Sequence, residues 1–361
     1  MNLYNGTSVI SNIGDENIDY IHKTVLITGA NGFVGLKLVQ VLLDYGFKNL
    51  RCLVRSERNL TELKNIINTA DAEVEIFYGN LLSKSDCSRA VENAVIIYHL
   101  AAGVEKSFAG CYLNSVISTR NLLEATLKHK TLERLVNISS IAVYSNERLP
   151  RNGMLDETCN IDQKIYERWD PYTYGKAKQD EIVREYAEKY SIPYVIIRPG
   201  VVFGPGKAQI TSRVGIDSFG FFLHLGHKNE IPFTYVNNCA EAIALAGFKK
   251  RIEGNEINII DDNLPTSQEF LRLYKENVRA FFTIPILYPI WLTFCWFWEW
   301  YSKWSEGQLP PAYNRRKCRT YWKGNKYSNS KAKRILGWQP KIGMKEALDK
   351  YFAYIRKAQG K

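Results

Sequence analysis

The sequence predicts an α/β protein in which a doubly wound parallel sheet is followed by a smaller C-terminal region. Three observations carry this. Up to about residue 200, short β-rich runs alternate with longer amphipathic patterns, as successive βαβ units require. The first of those runs ends in a glycine-rich bend that opens a helix. The chain also has 361 residues, more than one compact core usually holds, which favours a large unit plus an appended one.

Strands are expected at 24–28, 50–54, 73–78, 95–100, 134–139 and 194–198. Their apolar runs, bounded by turn residues, suit strands buried on both faces. Helical patterns lie between them at 33–43, 59–68, 85–93, 113–128 and 172–190. After Pro199 the pieces shorten. The expected organisation is therefore a polar lead-in over 1–22, a nucleotide-binding unit over 23–200 and a substrate-binding region over 201–361.

Composition narrows the class. An apolar share of 45% with 24% charged residues describes a folded globular chain. The seven cysteines are scattered, with no Cys-x-x-Cys pair, which suits reduced thiols in the cytoplasm and offers no metal site. Met1 to Lys23 lacks the apolar core of an export signal. The net charge of +11 is concentrated at the end: 303–361 holds sixteen Lys/Arg against three acids. No nucleic-acid-binding signature accompanies this basic tail, so nucleic acid is not the expected partner.

The strand Thr24-Val-Leu-Ile-Thr28 runs directly into Gly29-Ala-Asn-Gly-Phe-Val-Gly35. A diphosphate needs a tight turn without side chains and a helix N-terminus with free N–H groups, and both are encoded here. Gly29, Asn31, Gly32, Phe33, Val34 and Gly35 are thus candidates to hold a dinucleotide on a Rossmann-type sheet. The second strand ends in Val54-Arg55-Ser56 rather than an acid. A guanidinium there, with Arg58 nearby, suits a ribose 2′-phosphate, so NADP is slightly favoured over NAD. Asn80 follows the third strand, where it can donate to and accept from adenine.

Further motifs follow in order: His99-Leu-Ala-Ala102, Asn114 with Asn121-Leu-Leu-Glu-Ala125, Ser139-Ser-Ile-Ala-Val-Tyr144, a Tyr-x-x-x-Lys, Arg198-Pro-Gly-Val-Val-Phe-Gly-Pro205 and Leu336-Gly-Trp-Gln-Pro340. With them the chain resembles the extended short-chain dehydrogenase/reductases of the NAD-dependent epimerase/dehydratase family over roughly 23–355. The resemblance implies NAD(P)-dependent hydride chemistry. It adds Leu81, Ala101 and Pro199 to the cofactor set and makes Ser140 the holder of the substrate oxygen. It also implies a Tyr acting as acid/base beside a Lys. Bringing a phenol from ~10 to near 7 needs about 4 kcal/mol, and one cation at ~4 Å supplies about that much at an effective dielectric of ~20.

Two pairs compete for that role, Tyr172/Lys176 and Tyr174/Lys178. Being two residues apart on a helix, they point in nearly opposite directions. The family pattern of an acid four residues after the lysine favours Tyr172 and Lys176, which are followed by Asp180. The sugar 4,6-dehydratases carry Asp-Glu where this chain has Ile141-Ala142, which argues against dehydration.

On the substrate side, Phe233-Thr-Tyr-Val-Asn-Asn238 is similar to the 3β-hydroxysteroid and sterol dehydrogenases. The expected substrate is lipophilic or lipid-linked, such as a sterol or a polyprenyl-linked sugar. The alternatives are a soluble UDP-sugar epimerase or reductase, with Arg213, Arg315 or Arg319 meeting the diphosphate, and a non-catalytic dinucleotide-binding protein. The nineteen uncharged residues of Ala280–Trp298 stand out. With five of the eight tryptophans clustered at 291–304 and the basic tail behind them, 280–304 is expected to contact the inner face of a membrane peripherally. A homodimer is the other use such a surface could have.

Overall fold

The computed structural model describes residues 20–218 and 220–360. Most of the expected lead-in over 1–22 lies outside the described residues. At the centre stand seven parallel strands: β1 (Thr24–Thr28), β2 (Asn49–Val54), β3 (Glu73–Tyr78), β4 (Ala94–His99), β5 (Arg134–Ile138), β6 (Tyr194–Pro199) and β7 (Glu256–Ile259). Their order across the sheet is β7-β6-β5-β4-β1-β2-β3. The chain moves outward from β1 through β3, returns to β4 beside β1, and then proceeds the other way. That reversal opens a crevice at the C-terminal ends of β1 and β4, where ligands bind in such sheets.

Most of the apolar runs are buried on both faces, as expected, but β3, at the sheet edge, has only exposed and half-buried residues. Val25 and Ile27 join the core under helices α1 (Phe33–Asp44) and 236–248, whereas Leu26 joins the opposite core. That second layer holds α2 (Lys84–Val91), α3 (Ser118–His129) and α4 (Pro171–Tyr190), contributing Cys87, Leu122 and Val183. The sheet does not close at residue 200. Its seventh strand, β7, and the covering helix Val236–Phe248 come from beyond that position.

The remaining chain builds a separate aromatic core from Phe203, Phe233, Phe270, Tyr274, Tyr351 and Phe352. The stretch 280–304 is not one continuous helix. Thr283–Pro285 pairs in parallel with Phe221–His224, and helix α5 (Tyr288–Trp304) starts only after Leu287. Prolines 285 and 289 account for this, since proline fits strand ends and the first helical turn but not a helix interior. At 17 residues α5 is about 25 Å long. No helix among the described residues is long and apolar enough to cross a membrane. The next helix, α6 (Arg315–Trp322), packs beside α5.

Candidate active site

The glycine bend follows β1 directly. Gly29 takes φ +70°, and a Cβ there would stand 3.2 Å from the amide nitrogen of Ala101. At Gly35 a Cβ would lie 2.2 Å from the Gly29 carbonyl oxygen, so α1 packs on the bend at a distance only glycine permits. Asn31 fixes the outer wall by donating to the carbonyls of Ser56 (2.9 Å) and Arg58 (2.7 Å). A bare bend leading into a helix start fits a diphosphate by shape and by its unpaired amides.

Beside it lies a cleft of about 190 Å³. Of the sequence-predicted cofactor residues, Gly29, Asn31, Arg55, Asn80, Leu81 and Ala101 line it. Gly32, Phe33, Val34 and Gly35 form the helix start instead, and Pro199 closes β6. Arg55 is exposed and donates to Asn114 Oδ1 at 2.9 Å. Asn80 is exposed too, its side-chain oxygen accepting from the Leu82 amide at 3.0 Å. Asn114, which the sequence offered only as part of a family motif, and Ser118, which it did not offer, also line the cleft. Asn114 sits within a π-helical turn, Leu113–Ile117, and Ser118 directly after it, where α3 begins. Such turns re-aim side chains and recur at functional sites.

Ser140 stands in extended conformation just past β5, its Oγ accepting from the Ala142 amide at 3.2 Å. Tyr172 is the second residue of α4, whose N-cap is Asp170. Burial, with the Asp170 charge adding to it, pushes the phenol up to about 12, and a hydrogen-bonding interaction with Ser140 pulls the other way. Lys176, one turn later, is buried. Its Nζ donates to the Ile138 carbonyl and to Gln179 Oε1 (3.0 Å). Burial pushes Lys176 down to about 8, partly opposed by Asp180.

These shifts depart from the expectation that Lys176 acidifies Tyr172. In this structure the ammonium is held by Ile138 and Gln179, and, beyond burial, the charges acting most on the phenol are those of Asp170 and Asp180, which raise it further.

A buried chain of polar groups ties the site to the crevice. Gln179 donates to Thr119 Oγ1 (3.0 Å), which meets His99 Nε2 (2.8 Å), and His99 Nδ1 meets Thr28 Oγ1 (2.8 Å). Burial, with the Lys176 charge adding to it, lowers the His99 imidazole to about 3, so it is neutral. Asp180, the acid four residues after Lys176, accepts from Ser139 Oγ (2.7 Å) and pairs with Arg198 (3.0 Å). It thereby locks α4 against the ends of β5 and β6. Tyr174 instead packs edge-on to Phe108 at 5.4 Å, and Lys178 pairs with Glu181 at 2.6 Å on the surface.

A second cavity, of about 380 Å³, opens between the N-terminus of α4 and the α5–α6 pair. Trp169, Asp170 and Pro171 form one wall immediately before Tyr172, and Ile216, Cys295, Tyr313 and Trp322 make the other mostly apolar. Arg213 and Arg315 are engaged elsewhere: Arg213 donates to the Thr320 carbonyl (2.8 Å) and Arg315 pairs with Glu299 (2.6 Å).

Comparison with known proteins agrees with this architecture. Residues 25–259 match the model of the NAD dependent epimerase/dehydratase family. The sterol-4-alpha-carboxylate 3-dehydrogenase (decarboxylating) of Candida albicans is 27% identical over 351 residues, covering 91% of this chain and 96% of that protein. Its namesake from Saccharomyces cerevisiae is 27% identical over 358 residues, covering 92% and 97%. The fold is shared with the UDP-glucuronic acid 4-epimerase of Bacillus cereus, solved with NAD, at a TM-score of 0.69 and 20% identity over 93% of this chain and 98% of that one. The family match alone spans well over half of the residues, so the chain belongs to the NAD-dependent epimerase/dehydratase family and is an oxidoreductase or epimerase of the extended short-chain dehydrogenase/reductase type.

Proposed function

We propose that the protein moves a hydride to or from a secondary alcohol or ketone on a lipophilic, membrane-borne substrate. The observation that carries this is the placement of α4, which sets Tyr172 and, one turn on, buried Lys176 against the end of β5 just before Ser140, with a mostly apolar cavity at the start of the helix. When bound at the glycine bend, the nicotinamide dinucleotide supplies or accepts the hydride. Ser140 holds the substrate oxygen, and Tyr172 exchanges the proton with that oxygen. With its phenol pushed up to about 12, Tyr172 is protonated at neutral pH and ready to donate to a developing alkoxide. Oxidation of an alcohol requires that proton to leave first, so turnover in that direction rises with pH.

Lys176 positions the nicotinamide side of the site, and its ammonium holds Gln179 and with it the polar chain to His99. The apolar body of the substrate occupies the 380 Å³ cavity, within the size range of small-molecule sites. Similarity to the two fungal sterol dehydrogenases along nearly the whole chain supports a sterol-like substrate. The engagement of Arg213 and Arg315 elsewhere leaves Arg319 alone of the three arginines for a nucleotide-sugar diphosphate in the same place. Arg55, exposed in the adenosine cleft, makes NADP acceptable beside NAD.

The test is Tyr172→Phe. NAD(P)-linked turnover of a membrane lipid extract should vanish while dinucleotide binding, read by calorimetry, persists; Tyr174→Phe should keep turnover. Loss in Tyr174→Phe alone would move the assignment to the second pair. Turnover of UDP-sugars without turnover of any lipid would overturn the substrate reading.

A further inference from the structure

Ten of the eighteen large apolar side chains that stand exposed among the described residues fall between Phe282 and Leu309. On α5, Ile290, Phe294, Phe297, Tyr301 and Trp304 recur every three to four residues and so form one outward stripe. Trp304 is 67% exposed and Phe282, beside the helix start, 68%. The opposite face is anchored: Trp291 and Cys295 are buried, and the Trp291 ring meets Tyr313 at 5.7 Å and Trp322 at 6.0 Å. A firmly held helix that turns its aromatic side to water marks a contact surface.

We propose that this face of α5 docks on an anionic lipid bilayer, with the helix lying flat at headgroup depth. Two observations select lipid. The first is the tryptophans: Trp296, Trp300 and Trp304 present large apolar rings whose N–H groups need polar partners, and the headgroup layer satisfies both.

The second is the border of the stripe, which is cationic. Lys303 is exposed in the last turn. Near the other end, Lys275 and Arg279 stand 5.4 and 5.7 Å from the Phe281 ring, next to exposed Phe282. Glu299, the acid within the helix, is already paired with Arg315. Such a rim complements phosphatidylserine or another anionic lipid. A two-fold contact with a second copy would set the same positive rim against itself.

The inference rests on the membrane-borne substrate only for its purpose: docking would set the cavity walled by Cys295, on the inner side of the same helix, one helix thickness from the lipid surface. Binding is therefore measured without turnover, and failure of one reading leaves the other standing. The purified full chain is floated with vesicles of phosphatidylcholine alone and of phosphatidylcholine with phosphatidylserine. Its tryptophan fluorescence is followed with brominated acyl chains in the same vesicles.

Binding should require phosphatidylserine, weaken as salt is raised, and quench the fluorescence. The variant F297S/W300S/W304S should bind more than about tenfold less while its dinucleotide affinity, the check on folding, is unchanged. Equal binding of variant and parent would overturn the proposal. So would a lipid-free dimer that the same substitutions dissociate with no vesicle binding by the parent, since a second copy would then cover the face.

Discussion

Replacing Lys176 by Met should stabilise the cofactor-free protein at neutral pH while destroying its function. The lysine is nearly fully buried and its ammonium is pushed from 10.5 down to about 8 by loss of solvent. A folded-state value below the unfolded one means that the unfolded chain binds the extra proton. The penalty is therefore complete below pH 8 and fades as pH rises toward 10.5. Taking 1.36 kcal/mol per pH unit of displacement, it amounts to about 3 kcal/mol at pH 7 and about 1 kcal/mol at pH 10.

Urea denaturation of both proteins, without cofactor, at pH 7 and pH 10 isolates this contribution. Other groups titrate alike in the two proteins and cancel in the difference. The stability gap between variant and parent should shift by about 2 kcal/mol over that range, in favour of the parent as pH rises. The carbonyl of Ile138 and the amide of Gln179 lose their donor in the variant, which offsets the gap by a similar amount at every pH and leaves its slope intact. Parallel curves would refute the reasoning, because they would mean that Lys176 is not desolvated in the fold.

Two further outcomes follow from the dinucleotide cleft. Gly35→Ala places a methyl 2.2 Å from the Gly29 carbonyl oxygen, so the bend must move. A loss of about 1–3 kcal/mol in stability is expected in denaturant unfolding, with weaker dinucleotide binding in calorimetry; an unchanged bend would show as parental values in both. Arg55→Ala removes an exposed cation from the adenosine end of the cleft and should weaken NADP more than NAD in paired titrations. Equal losses for the two would leave Arg55 no part in choosing between them.

How much of this was legible beforehand depended on whether a signal was local. β1 to β6 could be read within a residue or so: five are apolar runs largely buried on both faces, and β3, at the sheet edge, still shows a β-rich run between turns. β7 could not. It is four residues long, and its first, Glu256, is a charge whose place in the sheet is secured by Arg184 (2.5 Å) and Arg198 (2.7 Å), partners remote in sequence. Helix 236–248 hid for a related reason: its alanines bury nearly every face and leave no amphipathic stripe to detect. The π turn at Leu113–Ile117 adds a residue to a helical turn without altering the composition, so Ser118 went unnoticed and Asn114 stood out only as part of a family motif.

The site divides along the same line. Helical spacing alone shows that Tyr172 and Tyr174 face different ways, and that Lys176 and Asp180 share a side. Which side turns inward is decided by tertiary neighbours, namely Phe108 against Tyr174 and Arg198 against Asp180. The electrostatics were the least legible part. Counting charges puts a cation one turn from a phenol, but the direction of the Lys176 ammonium follows from an acceptor on β5 and an amide on its own helix. A cation starved of water loses its own proton more readily, and one already turned onto a carbonyl has less charge to lend a neighbour. The balance between Tyr172 and Lys176 is thus set by what else enters the cleft and turns that ammonium, a property of the assembled site that no spacing rule contains.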